Sequence, residues 1–146
     1  DWVKAGGVLV LLANDSAKCD LTYINILSEK FGIPFSNESN NMVKGNAFEM
    51  GTAFPIDGNG LLNKGTKMYV KEVSAMHLPG AANSVALAGD QIVAASAAYG
   101  KGQVIAVGDP WLYNEYVDGR KLPLGFQNFE AMGQIVNWAL LKSNIK

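Results

Sequence analysis

The segment at residues 8–13 reads VLVLLA, and all six of its residues are apolar. A strand with one face in water alternates apolar and polar residues, whereas an uninterrupted apolar strand has both faces covered. Such strands are typical of parallel sheets that carry helices on both faces. We therefore predict that this segment is a central strand of an α/β sheet.

A second apolar segment, QVIAVGD at residues 103–109, has the same character, and we predict that it is central and parallel to the first. It ends a longer stretch, residues 84–109, whose pattern predicts three short strands. The turns that join them are expected at Gly89-Asp90 and at residues 100–102. These strands predict a β-meander that extends the sheet.

Two stretches have the apolar periodicity of helices, residues 14–32 and residues 126–146. The first has Asn14, Asp15 or Ser16 as its candidate cap and Gly32 as its end. Its predicted apolar stripe comprises Leu21, Ile24, Leu27 and Phe31, and the predicted inner face of the second helix comprises Phe129, Met132, Val136, Ala139 and Leu140. The order of elements predicts a three-layer α/β sandwich.

The first seven residues, DWVKAGG, resemble the last turn of a helix that stops at two glycines before the buried strand. We therefore expect residues 1–146 to be a single domain that has been excised from a longer chain. The upstream half of its sheet would then be missing.

Composition argues against several classes of partner. Twelve basic and thirteen acidic residues give a net charge of −1, and no basic stripe is present, so we expect no nucleic-acid partner. The longest apolar run is too short to span a bilayer, so we expect no membrane partner. Cys19 is the single cysteine, which excludes a disulfide within the chain.

Polar and aromatic residues follow both predicted parallel strands. Because the carboxyl ends of parallel strands meet at one edge of a sheet, these residues form a candidate ligand site. The candidate residues are Asn14, Asp15, Ser16, Asp109, Trp111, Tyr113, Asn114 and Glu115. We expect Asp109 to accept hydrogen bonds from backbone N–H groups of residues 14–16 or 113–115.

The same residues offer little catalytic chemistry. Asp109 and Glu115 provide two carboxylates of the kind that a glycosidase uses, but nothing in the sequence sets their separation. Ser16 lacks the flanking glycines of a nucleophile elbow. His77 is the single histidine, and no carboxylate lies near it in the sequence. We therefore assign no catalytic residue and predict neither a metal site nor a cofactor.

Three stretches together resemble a known family: WVKAGGVLVLLANDSA at residues 2–17, YGKGQVIAVGDPWLYNEYVDGRKLP at residues 99–123 and NFEAMGQIVNWALL at residues 128–141. They resemble the flavodoxin-like, class I glutamine amidotransferase-like domain, in the version found at the C-terminus of some bacterial unsaturated rhamnogalacturonyl or glucuronyl hydrolases. The resemblance places the family's cysteine at Ala13 or Asn14 and its His-Pro-Glu corner at Asp109-Pro110-Trp111. Neither nucleophile nor base is then present, and amidotransferase chemistry is not expected.

The resemblance implies a non-catalytic accessory domain of a glycoside hydrolase that degrades pectin, located in the periplasm or outside the cell. The expected partner is the catalytic barrel domain of the parent chain, and an oligosaccharide and a second copy of the chain are further candidates. Two alternatives stay open. One is a small hydrolase that uses Asp109 and Glu115, and the other is a stand-alone ligand-binding domain.

Overall fold

The computed structural model describes residues 1–56 and 60–143. In this part of the chain it contains six strands and two α-helices. In chain order they are β1 (Val8–Leu12), α1 (Leu21–Ser28), β2 (Thr52–Pro55), β3 (Met68–Tyr69), β4 (Asn83–Ala88), β5 (Gln91–Tyr99), β6 (Gly102–Val107) and α2 (Asn128–Lys142). Two short 3₁₀ helices, Glu29–Phe31 and Phe48–Gly51, supplement them.

The strands form one sheet in the order β1-β6-β5-β4-β2-β3. The predicted parallel pairing of the two apolar segments is confirmed: β1 lies beside β6, in a register that runs from Val8 opposite Gln103 to Leu12 opposite Val107. The prediction that both strands are central was wrong for β1, which is the edge strand of the described sheet.

The predicted meander is confirmed. β4, β5 and β6 are joined by turns at Gly89 and Gly100, whose φ angles of 60° and 63° suit glycine. β4, β5 and β6 therefore pair in antiparallel fashion with their chain neighbours.

The expected three-layer α/β sandwich was wrong. The fold is mostly β, a curled half-barrel of six strands with only two short helices. The reason lies in the connections: parallel strands need long crossovers, whereas short turns enforce antiparallel pairing. Most strands here are joined by turns or irregular loops, and only β1 and β6 are parallel among the described strands.

The first helix is shorter than predicted. α1 begins at Leu21, and Asp20 caps it by accepting the backbone N–H of Thr22 at 2.9 Å. None of Asn14, Asp15 and Ser16 is therefore the cap, because a separate turn precedes the helix. The predicted end at Gly32 is confirmed, with a left-handed φ of 71°.

The second helix turns a different face inward from the one predicted. Its buried residues are Asn128, Ala131, Ile135 and Trp138. Phe129, Val136 and Leu140, which were expected inside, are exposed. Residues 144–146, which the prediction included, lie outside the described residues.

The sheet has a hydrophobic core on each face. Along β6, Ile105 and Val107 belong to the core under α2, whereas Val104 and Ala106 belong to the core that includes Leu21 of α1. This alternation follows from the two-residue period of a strand. Neither described helix is long and apolar enough to cross a membrane.

Candidate functional site

Asp109, at the exit of β6, is fully buried and hydrogen-bonded to the backbone. Its Oδ2 accepts the N–H of Lys71 at 2.9 Å, and its Oδ1 accepts the N–H of Trp111 at 2.6 Å. Burial raises the pKa of Asp109 well above the ordinary value for an aspartate, although these backbone donors oppose that rise. The predicted role as an acceptor of backbone N–H groups is confirmed, but the donors differ from those expected.

Trp111 attaches the loop after β6 to the end of the sheet. Its indole Nε1–H donates to the carbonyl of Lys71, and its own carbonyl accepts from the side chain of Asn128. Its ring meets those of Tyr116 and Tyr69 edge-on, with centroids 4.4 and 5.9 Å away. These contacts hold the loop in place and leave the ring only partly accessible to a ligand.

Asn14, Asp15 and Ser16 lie at the exit of β1. Asp15 is buried, and its Oδ2 accepts the hydroxyl of Ser39 at 2.8 Å. Its Oδ1 has no hydrogen-bond partner among the described residues. Asn14 Oδ1 accepts the N–H of Asp15, and the hydroxyl of Ser16 lies 3.5 Å from that of Ser39.

The exits of β1 and β6 are close together, as the parallel pairing predicts. Tyr113 donates its hydroxyl to the carbonyl of Ala13 at 3.1 Å. Ser74 lies between the two exits: its N–H donates to Gly108 and its hydroxyl donates to the carbonyl of Asn14. The edge expected to hold a ligand is thus largely filled by the protein itself.

The last two candidate residues lie apart from this cluster. Asn114 Oδ1 accepts the N–H of Tyr116 within the loop. Glu115 is exposed and pairs with Lys121 at 3.3 Å. A hydrogen bond from its own backbone N–H and one from Lys121 lower the pKa of Glu115. Asp109 and Glu115 therefore have opposite environments, one buried and bonded to backbone, the other in solvent.

Four polar residues that complete this region were not predicted from the sequence. Ser39, Lys71, Ser74 and Asn128 come from loops and from the start of α2, far from the strand exits in sequence. No periodicity or spacing links them to residues 14–16 or 109–115, so local sequence patterns contained no signal for them. Among the described residues, no three His, Cys, Asp or Glu side chains are grouped closely enough to hold a metal ion.

One accessible groove on the surface is apolar. A groove of about 420 Å³ lies between β1 and α2, and we call it the β1–α2 groove. Val10, Leu12, Leu112, Met132, Val136 and Leu140 are among the residues that line it, and none of its lining residues is charged. Val136 and Leu140 are 46% and 70% exposed, which is unusual for adjacent aliphatic side chains on one surface.

The comparisons with known proteins bear on the fold. No protein-family profile matches the chain, and no curated protein sequence matches it. Among solved structures, the mmIFT52 N-terminal domain is similar with a TM-score of 0.71 and 14% identity, over 99% of this chain and 69% of that one. A cold-adapted beta-galactosidase from Rahnella sp. R3 is similar with a TM-score of 0.62 and 20% identity, over 96% of this chain. The match spans only 19% of the galactosidase chain.

These neighbours correct the resemblance drawn from the sequence. The chain is a curled, mixed sheet like the IFT52 domain and the galactosidase segment, and it is not identified as a flavodoxin-like amidotransferase domain. Short matching segments around buried strands misled the assignment, because apolar strands followed by glycine and proline turns occur in many folds.

Proposed function

We propose that this chain is a non-catalytic accessory domain of a polysaccharide-degrading glycoside hydrolase and that it docks through the β1–α2 groove. The observation that carries the proposal is the groove itself, which is uncharged and is bordered by the exposed aliphatic side chains of Val136 and Leu140. Continuous apolar surface of this kind marks docking sites in soluble proteins. The specific parent expected from the sequence, an unsaturated uronyl hydrolase, stays a prediction.

The polar candidates support the non-catalytic part of the proposal. Both carboxylate oxygens of Asp109 are occupied by backbone N–H groups, so this side chain has a structural role that needs no substrate. Glu115 lies in solvent with Lys121, where hydrogen bonds from its own backbone N–H and from Lys121 lower its pKa, whereas a general acid needs a raised one. The pair therefore lacks the shared cleft that glycoside hydrolysis requires, because the carboxyl of Asp109 is buried and that of Glu115 lies in solvent.

The structural neighbours support the accessory part. In the beta-galactosidase, the similar segment makes up about a fifth of the chain, so this fold occurs as one part of a larger glycosidase. At 20% identity the likeness concerns the fold alone, and the glycosidase context is carried over here as part of the proposal.

The test combines an assay with a docking experiment. The purified chain should not turn over unsaturated uronide oligosaccharides. It should bind the catalytic domain of the proposed parent chain when that domain is expressed separately. Leu140→Glu should abolish this association because it places a charge in the groove, and Leu141→Glu is the matched control, since Leu141 is exposed on the same helix but does not line the groove.

Two results would contradict the proposal. The isolated chain could turn over the oligosaccharide and lose this activity, but not its fold, in the Asp109→Asn variant. That result would favour the small hydrolase instead. Equal association of the Leu140→Glu and Leu141→Glu variants would show that the groove is not the docking surface.

A further inference from the structure

A second pocket, of about 270 Å³, lies between the loop that follows β6 and the start of α2. We call it the loop–α2 pocket. It has none of its described lining residues in common with the β1–α2 groove, and its chemistry is different. Its lining includes three aromatic rings and two carboxylates, those of Tyr116, Phe126, Phe129, Asp118 and Glu130.

Contacts outside the pocket hold its walls in place. Asn128 is buried, and its amide bonds both backbone groups of Tyr69 and the carbonyl of Trp111, which fixes the first turn of α2. Tyr116 stacks on Tyr69 with ring centroids 5.5 Å apart, and it meets Trp111 edge-on at 4.4 Å. A pocket whose walls are already ordered binds a ligand at a smaller entropic cost.

Phe129, the second residue of α2, supplies free aromatic surface. Its side chain is 63% exposed and makes no ring or cation–π contact within the described residues. Phe126 is more covered, since Tyr69 meets it edge-on and Lys67 Nζ lies 4.5 Å from its ring centroid. An exposed ring beside polar groups is a flat apolar surface on which a ligand can stack.

The two carboxylates are available as acceptors, and their charges are partly balanced. Asp118 Oδ2 accepts hydrogen bonds from Nε, at 2.7 Å, and Nη2 of Arg120, which lower the pKa of Asp118. Glu130 has no ion-pair partner among the described residues, and it lies in the first turn of α2, where a carboxylate offsets the helix dipole. No lysine or arginine is among the described residues that line the pocket.

A neutral sugar fits these features. The C–H face of a sugar ring is apolar and can stack on an aromatic ring, whereas its hydroxyls donate strong hydrogen bonds to carboxylates. A uronate would instead place its own carboxylate near Asp118 and Glu130, with no lysine or arginine in the described lining to pair with it. At about 270 Å³ the pocket is slightly smaller than the roughly 300–1,000 Å³ of typical ligand pockets, which suits one sugar ring.

We propose that the loop–α2 pocket binds one neutral sugar unit of a polysaccharide. The ring of Phe129 is the stacking surface, and the carboxylates of Asp118 and Glu130 accept the sugar hydroxyls. The inference rests on the proposed function, because that function supplies polysaccharide as the ligand class. α2 then contributes to two sites: its start lines the sugar pocket, and Val136 and Leu140 border the docking groove.

Titration with D-galactose and D-galacturonate tests the inference. The two sugars differ in one exocyclic group, which is a hydroxymethyl in the first and a carboxylate in the second. Backbone amide NMR spectra of the purified chain should show galactose-dependent shifts at Gly119 and Glu130, with a Kd of about 1–10 mM. Galacturonate should bind at least about tenfold more weakly, because like charges then face each other.

Two variants with matched controls connect binding to the pocket. Phe129→Ala removes the stacking ring and should weaken galactose binding by about tenfold. Phe54→Ala removes an exposed ring of β2 outside the pocket and should leave binding unchanged. Glu130→Gln should weaken galactose binding and also reduce the preference over galacturonate, because it removes a repelling charge. Glu38→Gln, at an exposed carboxylate outside the pocket, is its control.

Three results would overturn the inference. They are an absence of shifts at about 100 mM galactose, galacturonate binding as tight as that of galactose, and unchanged galactose binding by Phe129→Ala. Galactosamine, which carries an ammonium group, is a further probe. If it binds and galactose does not, the pocket is a site for cations and the sugar inference is wrong.

The docking assay separates this inference from the proposed function. Phe129 does not line the β1–α2 groove, so Phe129→Ala should bind the catalytic domain as the wild type does. If the chain docks but galactose does not bind, the sugar inference falls and the proposed function stands. Galactose binding by a chain that does not dock would support the sugar site and contradict the proposed function.

Discussion

Asp109 was a candidate catalytic residue, but its contacts indicate a structural role. Its carboxylate lies at the exit of a buried strand, where backbone donors of Lys71 and Trp111 would otherwise have no acceptor. A buried N–H without a partner costs as much as a lost hydrogen bond, so an acidic side chain at this point stabilises the turn. The side chain joins the end of β6 to the segment around Lys71, which is 38 residues away in sequence.

Substitution of Asp109 should therefore change stability. Asp109→Asn keeps the shape and one acceptor and should lower the free energy of unfolding by about 1–2 kcal/mol. Asp109→Leu leaves both N–H groups without an acceptor and should cost about 2–4 kcal/mol. Urea unfolding measures both, with Asp90→Asn in the exposed turn after β4 as the control that should change little. Equal stabilities for all three variants would contradict the structural role.

The raised pKa of Asp109 also predicts a pH dependence. Between the ordinary pKa of aspartate and the raised value, the folded protein holds a proton that the unfolded chain has released. The contribution of Asp109 to stability is thus fully present below the ordinary pKa and is lost as the pH rises through the raised one. Asn carries no such proton, so the stability advantage of the wild type over Asp109→Asn should shrink as the pH increases. Urea midpoints at a series of pH values measure this difference, and an advantage that is constant or grows would show that the carboxyl is not shifted upward.

Asn128, the first residue of α2, also has a structural role and connects separate segments of the chain. It is buried, and its amide bonds both backbone groups of Tyr69 in β3 and the carbonyl of Trp111. The helix, the last strand of the sheet and the loop after β6 are thereby held together. One side chain thus caps an edge strand and positions a helix.

Removal of that amide should be costly. Asn128→Ala leaves a buried N–H and two carbonyls without partners and should destabilise the protein by about 2–4 kcal/mol. Asn137→Ala, at an exposed position of the same helix, should change the free energy of unfolding by less than about 0.5 kcal/mol. Thermal melts compare the two variants. A loss of similar size in both would mean that the effect does not come from the capping of β3.

The elements differ in how far the sequence could predict them. The hairpins of β4, β5 and β6 were predictable, because their turns and strands are local patterns. The inner face of α2 was not. Apolar Val136 and Leu140 suggested a buried stripe, yet the helix buries Asn128 and Trp138, since its rotation is set by contacts with the sheet and by the bonds of Asn128. Likewise, the composition of β1 correctly indicated an apolar environment on both faces, but it could not show that one side of the strand is open.

The architecture of the whole molecule depended on connections that no local pattern encodes. Most of the candidate site residues were found near the strand exits because the β1–β6 pairing was predicted correctly. The partners that fill the site, such as Ser39 and Ser74, are contributed by long loops whose paths are determined by tertiary packing. The assumption that parallel strands imply flanking helix layers was the step that failed, because a single parallel pair can lie at the edge of an otherwise antiparallel sheet.

The two cores of the molecule share one sheet, and this predicts how it unfolds. Leu21 of α1 is buried on one face and Ile135 of α2 on the other, and alternate residues of β6 contribute to both cores. Because β6 contributes to both cores, loss of packing in one core disturbs the strand on which the other core is built. Unfolding should therefore be one cooperative transition. Leu21→Ala and Ile135→Ala should each cost about 2–5 kcal/mol. Each should lower the urea midpoint equally by circular dichroism and by the fluorescence of the tryptophans, which include Trp138 in the α2 core. If Leu21→Ala shifted the circular dichroism transition and left the fluorescence transition in place, the two faces would be separate folding units, and the sheet would not couple them.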